Sequence, residues 1–192
     1  FKGLSDRALT CLGAMFRLFE INGQWPSDEQ AVIVVLIPKS DGGLRPIAPF
    51  RTAYRIYAKA HARKVRDWAA LLPDAQCNNS KGRWVGDSTW RAQVRAVTQS
   101  KKHHIDFLLD VKKAFEHVRR GSVAREAKLQ DYPLVPLLAS LTSYAWPRYI
   151  GLDGLLAEPI VATRGIAAGS AFSTFELWCL LRNAINSLQI EF

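Results

Sequence analysis

The sequence predicts an α+β fold, and three observations carry that expectation. Apolar residues recur at three- and four-residue steps over 2–21 and again over 54–68, which is the period of amphipathic helices. Between them the β-branched run AVIVVLIPK, Ala31 to Lys39, is too short for a typical helix and stops at Pro38, so it reads as a buried strand. Two turns, Asp41-Gly42-Gly43 and Asp153-Gly154, stand between apolar runs as hairpin signals.

The elements follow in order. Leu4, Ala8, Leu12, Met15, Phe16 and Phe19 make the stripe of a first helix, which Asn22-Gly23 ends. Strand 31–39 and a second short strand at Leu44–Ala48 close a hairpin. Tyr54, Tyr57, Ala58, His61, Val65 and Trp68 share one helical face, while Arg51, Arg55, Lys59, Arg63 and Arg66 line another. Leu71 to Ser88 is a loop by its Pro, Asn, Gly and Ser content, and Trp90 to Ser100 a helix. Ile105–Val111 reads as a strand, Phe115–Leu129 as a helix, and Tyr132–Trp146 as a helix interrupted near Pro133 and Pro136. Ser173-Thr174-Phe175-Glu176 has the form of a capping box before a last helix whose stripe is Trp178, Leu181, Ile185 and Leu188.

Composition narrows the function. The 192 residues are 48% hydrophobic and 10% aromatic, enough to fill a core, and carry a net charge of +9, which points to polyanions. No run of about eighteen apolar residues exists, so a bilayer span is excluded from the reading and no membrane partner is expected. Cys11, Cys77 and Cys179 are odd in number and far apart, encoding neither a disulfide framework nor a zinc site. His103 and His104 point opposite ways on a strand and make no ligand pair. With no basic stretch followed by a short apolar one near Phe1, no signal peptide is visible, and an intracellular location is expected.

The charge is concentrated. From Pro38 to Arg66 the basic residues Lys39, Arg45, Arg51, Arg55, Lys59, Arg63, Lys64 and Arg66 stand against Asp41 alone. A solvated helix face accounts for one such helix in isolation, whereas the whole concentration suits a phosphate-facing surface. Lys81 and Arg83 beside Trp84 fit either a nucleic-acid strand or a turn with one anchoring ring. Asp110 ends an apolar strand and is followed by Lys112 and Lys113; by itself it reads first as a helix cap or an ion-pair partner of those lysines and only second as a metal ligand.

Taken in sequence, five stretches resemble the reverse transcriptase domain of non-LTR retrotransposons and group II introns. VVLIPKSDGGLRPI is similar to its fingers motif, PFRTAYRIYAKAHARKVRDW to the basic helix that follows, and QCNNSKGR to a degenerate form of its Gln…Gly-Arg loop. FLLDVKKAFEHV is similar to the first palm motif and TRGIAAGSAFS to the second. The resemblance covers nearly the whole chain. It implies right-hand polymerase architecture, with fingers and linking helices over about 1–104 and the start of the palm, a small antiparallel sheet carrying Asp110, over about 105–192. The final palm motif and the thumb are expected outside these residues.

The resemblance also implies roles. Asp110 would be the catalytic aspartate that holds magnesium, two ions being expected in the complete enzyme, with the Val111 carbonyl as a further ligand. Lys39 and Arg45 would grip the triphosphate, and Val111, Ala114, Phe115 and Gly169 would surround the incoming deoxynucleoside triphosphate. Phe115 stands where the family carries an aromatic gate against the ribose 2′-hydroxyl. An apolar ring leaves that hydroxyl unpaired at about 1–3 kcal/mol, which favours a DNA product over RNA; core packing is the other use of such a ring. Arg51, Arg55, Lys59, Arg63, Lys81, Arg83 and Arg164 would contact the RNA template and DNA primer.

Three positions depart from the pattern. Ala168 replaces a Gln, Thr174 replaces a Pro, and no Tyr-x-Asp-Asp occurs in the 192 residues. The chain by itself is therefore expected to lack polymerase activity, and the alternative reading is a catalytically dead RNA-binding or scaffold domain of the same descent.

Overall fold

The computed structural model describes residues 3–72, 85–98, 111–152 and 154–187. Local chemistry sets the first elements. Helix α1, Asp6–Asn22, starts where the Ser5 hydroxyl accepts the Ala8 N–H at 3.3 Å. It stops at Gly23, whose φ of 68° lets its N–H reach the Phe19 carbonyl at 2.7 Å. Strands β1, Val32–Pro38, and β2, Leu44–Ile47, form the expected hairpin, with Val35 opposite Ile47 and Ile37 opposite Arg45. Gly42 takes the left-handed turn position at φ 81°, and Asp41 Oδ1 accepts the Gly43 N–H at 3.0 Å.

The chain returns to this hairpin much later. Strand β3, Arg148–Leu152, lies parallel to β1, with Val32 opposite Arg148 and Val35 opposite Gly151. It turns through Gly154 into β4, Leu155–Leu156, giving a mixed sheet of order β2-β1-β3-β4. A parallel pair needs a long crossover, which the intervening helices supply. The fold class is thus α+β, with the described sheet mixed rather than purely antiparallel. The strand expected over 105–110 lies outside the described residues; Val111, at its end, is not in a strand and is exposed.

The buried-strand reading of β1 holds for one face only. Val32 and Val34 are buried, whereas Ile33, Val35 and Ile37 are exposed. An unbroken apolar run does not tell which face is covered, and here helices cover one.

Helix α2, Thr52–Leu71, buries Tyr54, Tyr57, Ala58, Val65 and Trp68, as its periodicity requires. Its aromatic residues meet those of α1 and of the segment that leads into β3. Trp25 stacks on Phe19 with ring centroids 4.5 Å apart, touches Tyr57 at 5.3 Å, and meets Trp146 at 5.8 Å. Phe50 stacks on Tyr54 at 4.4 Å. His61 is half-buried beside Glu20, Nε2 to Oε1 3.1 Å; burial lowers its pKa and Glu20 opposes the shift.

Later elements differ from expectation at their ends. Helix α3, Val85–Thr98, begins inside the stretch read as loop up to Ser88, because Gly, Asp and Ser also suit a helix's first turn. The helix expected over Phe115–Leu129 is broken into α4, Ala114–His117, and α5, Arg120–Leu129. Val118 is extended at the break (φ −60°, ψ 130°), and its carbonyl accepts the Gly165 N–H at 2.7 Å. Helix α6, Leu134–Ser143, holds Pro136 in its first turn, where a missing N–H costs nothing. Helix α7, Ser173–Ser187, buries Ser173, Glu176, Trp178 and Cys179.

Candidate nucleotide and nucleic-acid site

The β1–β2 tip gathers charge by its turn. Lys39 donates its N–H to the Gly43 carbonyl at 2.8 Å, closing the loop so that Lys39 and Arg45 line one open cleft of about 440 Å³ with Ile37, Pro38, Ser40 and Asp41. Two cations and one carboxylate around an open cleft suit an anionic ligand held in water. Beside the tip, the uncovered sheet face presents Ile33, Val35, Ile37, Ile47 and Leu156.

The loop 164–170 ties separate parts of the chain together. Gly165, at φ 86°, sends its N–H to Val118 O, and Ile166 sends its own to Phe115 O at 2.9 Å. A Cβ on Gly165 would lie 2.9 Å from the Glu116 carbonyl oxygen. At the other end of the loop a Cβ on Gly169 would lie 2.2 Å from the Ala48 carbonyl oxygen, just past β2. Ser170 then turns the chain into α7. Its hydroxyl shares a 2.9 Å hydrogen bond with the buried Tyr54 and accepts the Phe172 N–H at 3.3 Å. The backbone after the β1–β2 hairpin, the segment of Phe115 and the Gly-containing loop are therefore joined.

The expected site residues within the described part of the chain are placed as follows. Phe115 is half-buried against the core, so its ring serves packing as well as any sugar contact. Ala114 is half-buried and Val111 exposed. Gly169 is exposed, as is Ala168, where the family pattern has Gln. The close approach that Gly169 permits in this structure is to the chain's own Ala48. Arg51, Arg55, Lys59 and Arg63 are exposed on the outer face of α2, where Arg63 pairs with Asp67 at 3.6 Å. Arg164 is exposed. Lys113 adopts φ 54° and pairs with Glu116 of α4 at 3.9 Å. Asp110, Lys81 and Arg83 lie outside the described residues. Among the described residues no three His, Cys, Asp or Glu side chains gather to hold a metal ion.

A buried polar network was not expected. Glu176 is fully buried in α7, where its carboxyl is bonded to the Ser140 hydroxyl and accepts the Tyr144 hydroxyl at 2.6 Å. Burial pushes its pKa up to about 7, against the lowering effect of those two bonds. The capping-box reading is thus corrected. The Glu176 side chain points into the core, and the Ser173 hydroxyl donates to the Ser170 carbonyl at 3.0 Å. The one signal in the sequence was spacing: Glu176 lies three residues before the buried Cys179, on the apolar side of the helix. Arg120 and Arg148 were also missed; Arg120 Nε donates to Gly165 O at 2.9 Å and braces the loop from α5.

No protein-family model matches the chain, and no curated protein matches it in sequence.

Proposed function

We propose that the chain is the fingers and the first part of the palm of an RNA-directed DNA polymerase of the non-LTR retroelement type. The observation that carries this reading is the convergence around loop 164–170. Stretches far apart in sequence, singled out for nucleotide handling, are linked there by the hydrogen bonds to Phe115 and Val118 and by the contact of Gly169 with Ala48. The cleft shared by Lys39 and Arg45 supports a triphosphate role, because an arginine fork and a lysine ammonium bind phosphate oxygens in complementary ways. The exposed cations of α2 support a role in holding a nucleic-acid backbone.

In this reading Lys39 and Arg45 bind the β- and γ-phosphates of a deoxynucleoside triphosphate, and Phe115 closes the sugar pocket against a 2′-hydroxyl. The α2 face carries template and primer phosphates. Asp110 and the Val111 carbonyl would hold magnesium, which would supply Lewis-acid activation of the α-phosphate and of the primer hydroxyl. Synthesis belongs to a polypeptide that supplies further carboxylates, since no Tyr-x-Asp-Asp occurs in these 192 residues. The absent pair and Ala168 favour a second reading, an RNA-binding or scaffold domain without catalysis.

RNA-templated primer extension by the complete gene product separates the two. Incorporation of deoxynucleotides but not ribonucleotides, abolished by Asp110→Ala with RNA binding intact, is the result expected of the polymerase. RNA binding without any extension by the wild type selects the scaffold, and absence of RNA binding removes both.

A further inference from the structure

Loop 164–170 shows Ala168 and Gly169 at the surface, while Gly165, Ile166, Ala167 and Ser170 on either side of them are buried. Each side has its own anchor. After the exposed pair, Ser170 Oγ shares its hydrogen bond with Tyr54, and Gly169 itself lies against the Ala48 carbonyl. Before it, the chain runs along the segment that links α4 to α5. There the Ile166 N–H meets Phe115 O at 2.9 Å and the Gly165 N–H meets Val118 O at 2.7 Å.

Arg120 adds a side chain to this second anchor. Its Nε donates to Gly165 O at 2.9 Å and an Nη to Arg164 O at 3.3 Å, so one guanidinium takes the carbonyls on both sides of the Gly165 α-carbon. Gly165 is buried, and a buried carbonyl needs a donor. The planar fork is what reaches two carbonyls at once; a lysine ammonium is a single point on a flexible stem. Gly165 is also held tightly from the other direction, since a Cβ there would lie 2.9 Å from Glu116 O. The backbone bonds set the segment of Phe115 beside the loop, and the guanidinium resists their parting. A residue that contacts a ligand keeps its geometry only when its surroundings are fixed in this way.

We propose that Arg120 is a positioning residue for sugar selection: by clamping Arg164 and Gly165 to the segment of Phe115, it fixes the spacing between Phe115 and the exposed Ala168-Gly169 at which a ribose 2′-hydroxyl is refused. The sugar assignment rests on the polymerase reading above; the clamp itself does not. Arg120 touches neither substrate nor metal in this role and acts through Phe115 and the loop.

The test has two parts. Amide hydrogen exchange is first measured on the full chain for wild type, Arg120→Gln and Arg120→Lys. In Arg120→Gln the Gly165 and Ile166 amides should exchange about tenfold faster, with the Tyr57 amide in α2 unchanged, as loss of a local charged hydrogen bond requires. Arg120→Lys should fall between the two. Exchange at Gly165 and Ile166 equal to wild type in Arg120→Gln overturns the clamp and the proposal with it. The complete gene product then extends a primer on RNA with deoxynucleotides or ribonucleotides, and kcat/KM is taken for each. Arg120→Gln should lower the preference for deoxynucleotides by about tenfold, chiefly by raising ribonucleotide use, with Arg120→Lys intermediate. A purely structural role would lower kcat/KM for both substrates by the same factor. That result, or an unchanged preference, refutes sugar positioning and leaves the polymerase reading standing. A wild type that binds RNA but extends with neither substrate refutes the polymerase reading, and the sugar assignment falls with it.

Discussion

Gly169 shows how one residue type serves two ends. Its hydrogen occupies the space where a Cβ would sit 2.2 Å from the Ala48 carbonyl oxygen, and the neighbour is backbone rather than a flexible side chain. Gly169→Ala must therefore displace the loop or the end of β2, at about 1–3 kcal/mol of stability, read as a lower urea midpoint with unchanged slope. Glu176 is the other residue whose position has a measurable consequence. Its carboxyl titrates at about 7 in the fold against 4.5 outside it. Between those values the folded state binds more protons than the unfolded one, so stability falls as pH rises through that window and is flat above it. The full difference is roughly 3 kcal/mol. Glu176→Gln removes the titration. Its stability should match wild type at or below about pH 4 and exceed it by about that amount at pH 8, as measured by urea unfolding at the two values.

At the scale of elements, the aromatic layer holds α1 and α2 to the sheet. Trp25 touches Phe16, Phe19, Tyr54, Tyr57 and Trp146, and so joins four separate stretches of chain. Trp25→Ala should cost about 3–5 kcal/mol, measured as a fall in thermal midpoint. Helices α1 and α2 and both hairpins were legible because each is written in local chemistry: an apolar period, an Asn-Gly stop, a turn dipeptide. The break between α4 and α5 was not legible. Nothing in Val118 or its neighbours forbids a helix; the break coincides with the Gly165 N–H that arrives from the far side of the fold. Glu176 fails in the same way, since Ser173 and Glu176 satisfy the capping pattern while Ser140 and Tyr144, on and beside α6, decide where the carboxyl goes.

For the molecule as a whole, charge is the quantity that links structure to partner. The net +9 is spread over exposed arginines and lysines, and α2 carries Arg51, Arg55, Lys59 and Arg63 on one side while its other side fills the core. Arg55→Gln with Lys59→Gln touches no buried group and should leave folding intact. If each cation meets a phosphate of single-stranded RNA, the double variant lowers the salt slope of binding by about 1.4. An unchanged slope assigns these residues to solvent. No described helix is long and apolar enough to cross a membrane.

By itself the sequence determined the α+β class, the helical faces, the hairpins and the basic surface, because each depends on residues within a few positions of one another. It also marked Lys39 and Arg45 as neighbours, since a tight turn lies between them. Tertiary structure alone decided that β1 pairs in parallel with β3, that one face of the sheet stays open, and that loop 164–170 reaches both Phe115 and Ala48. It alone brought Glu176 to Tyr144 and Arg120 to Gly165. The physical reason is common to all of these. Contacts between distant segments are selected by shape and by the pairing of buried polar groups, and neither leaves a periodic trace along the chain.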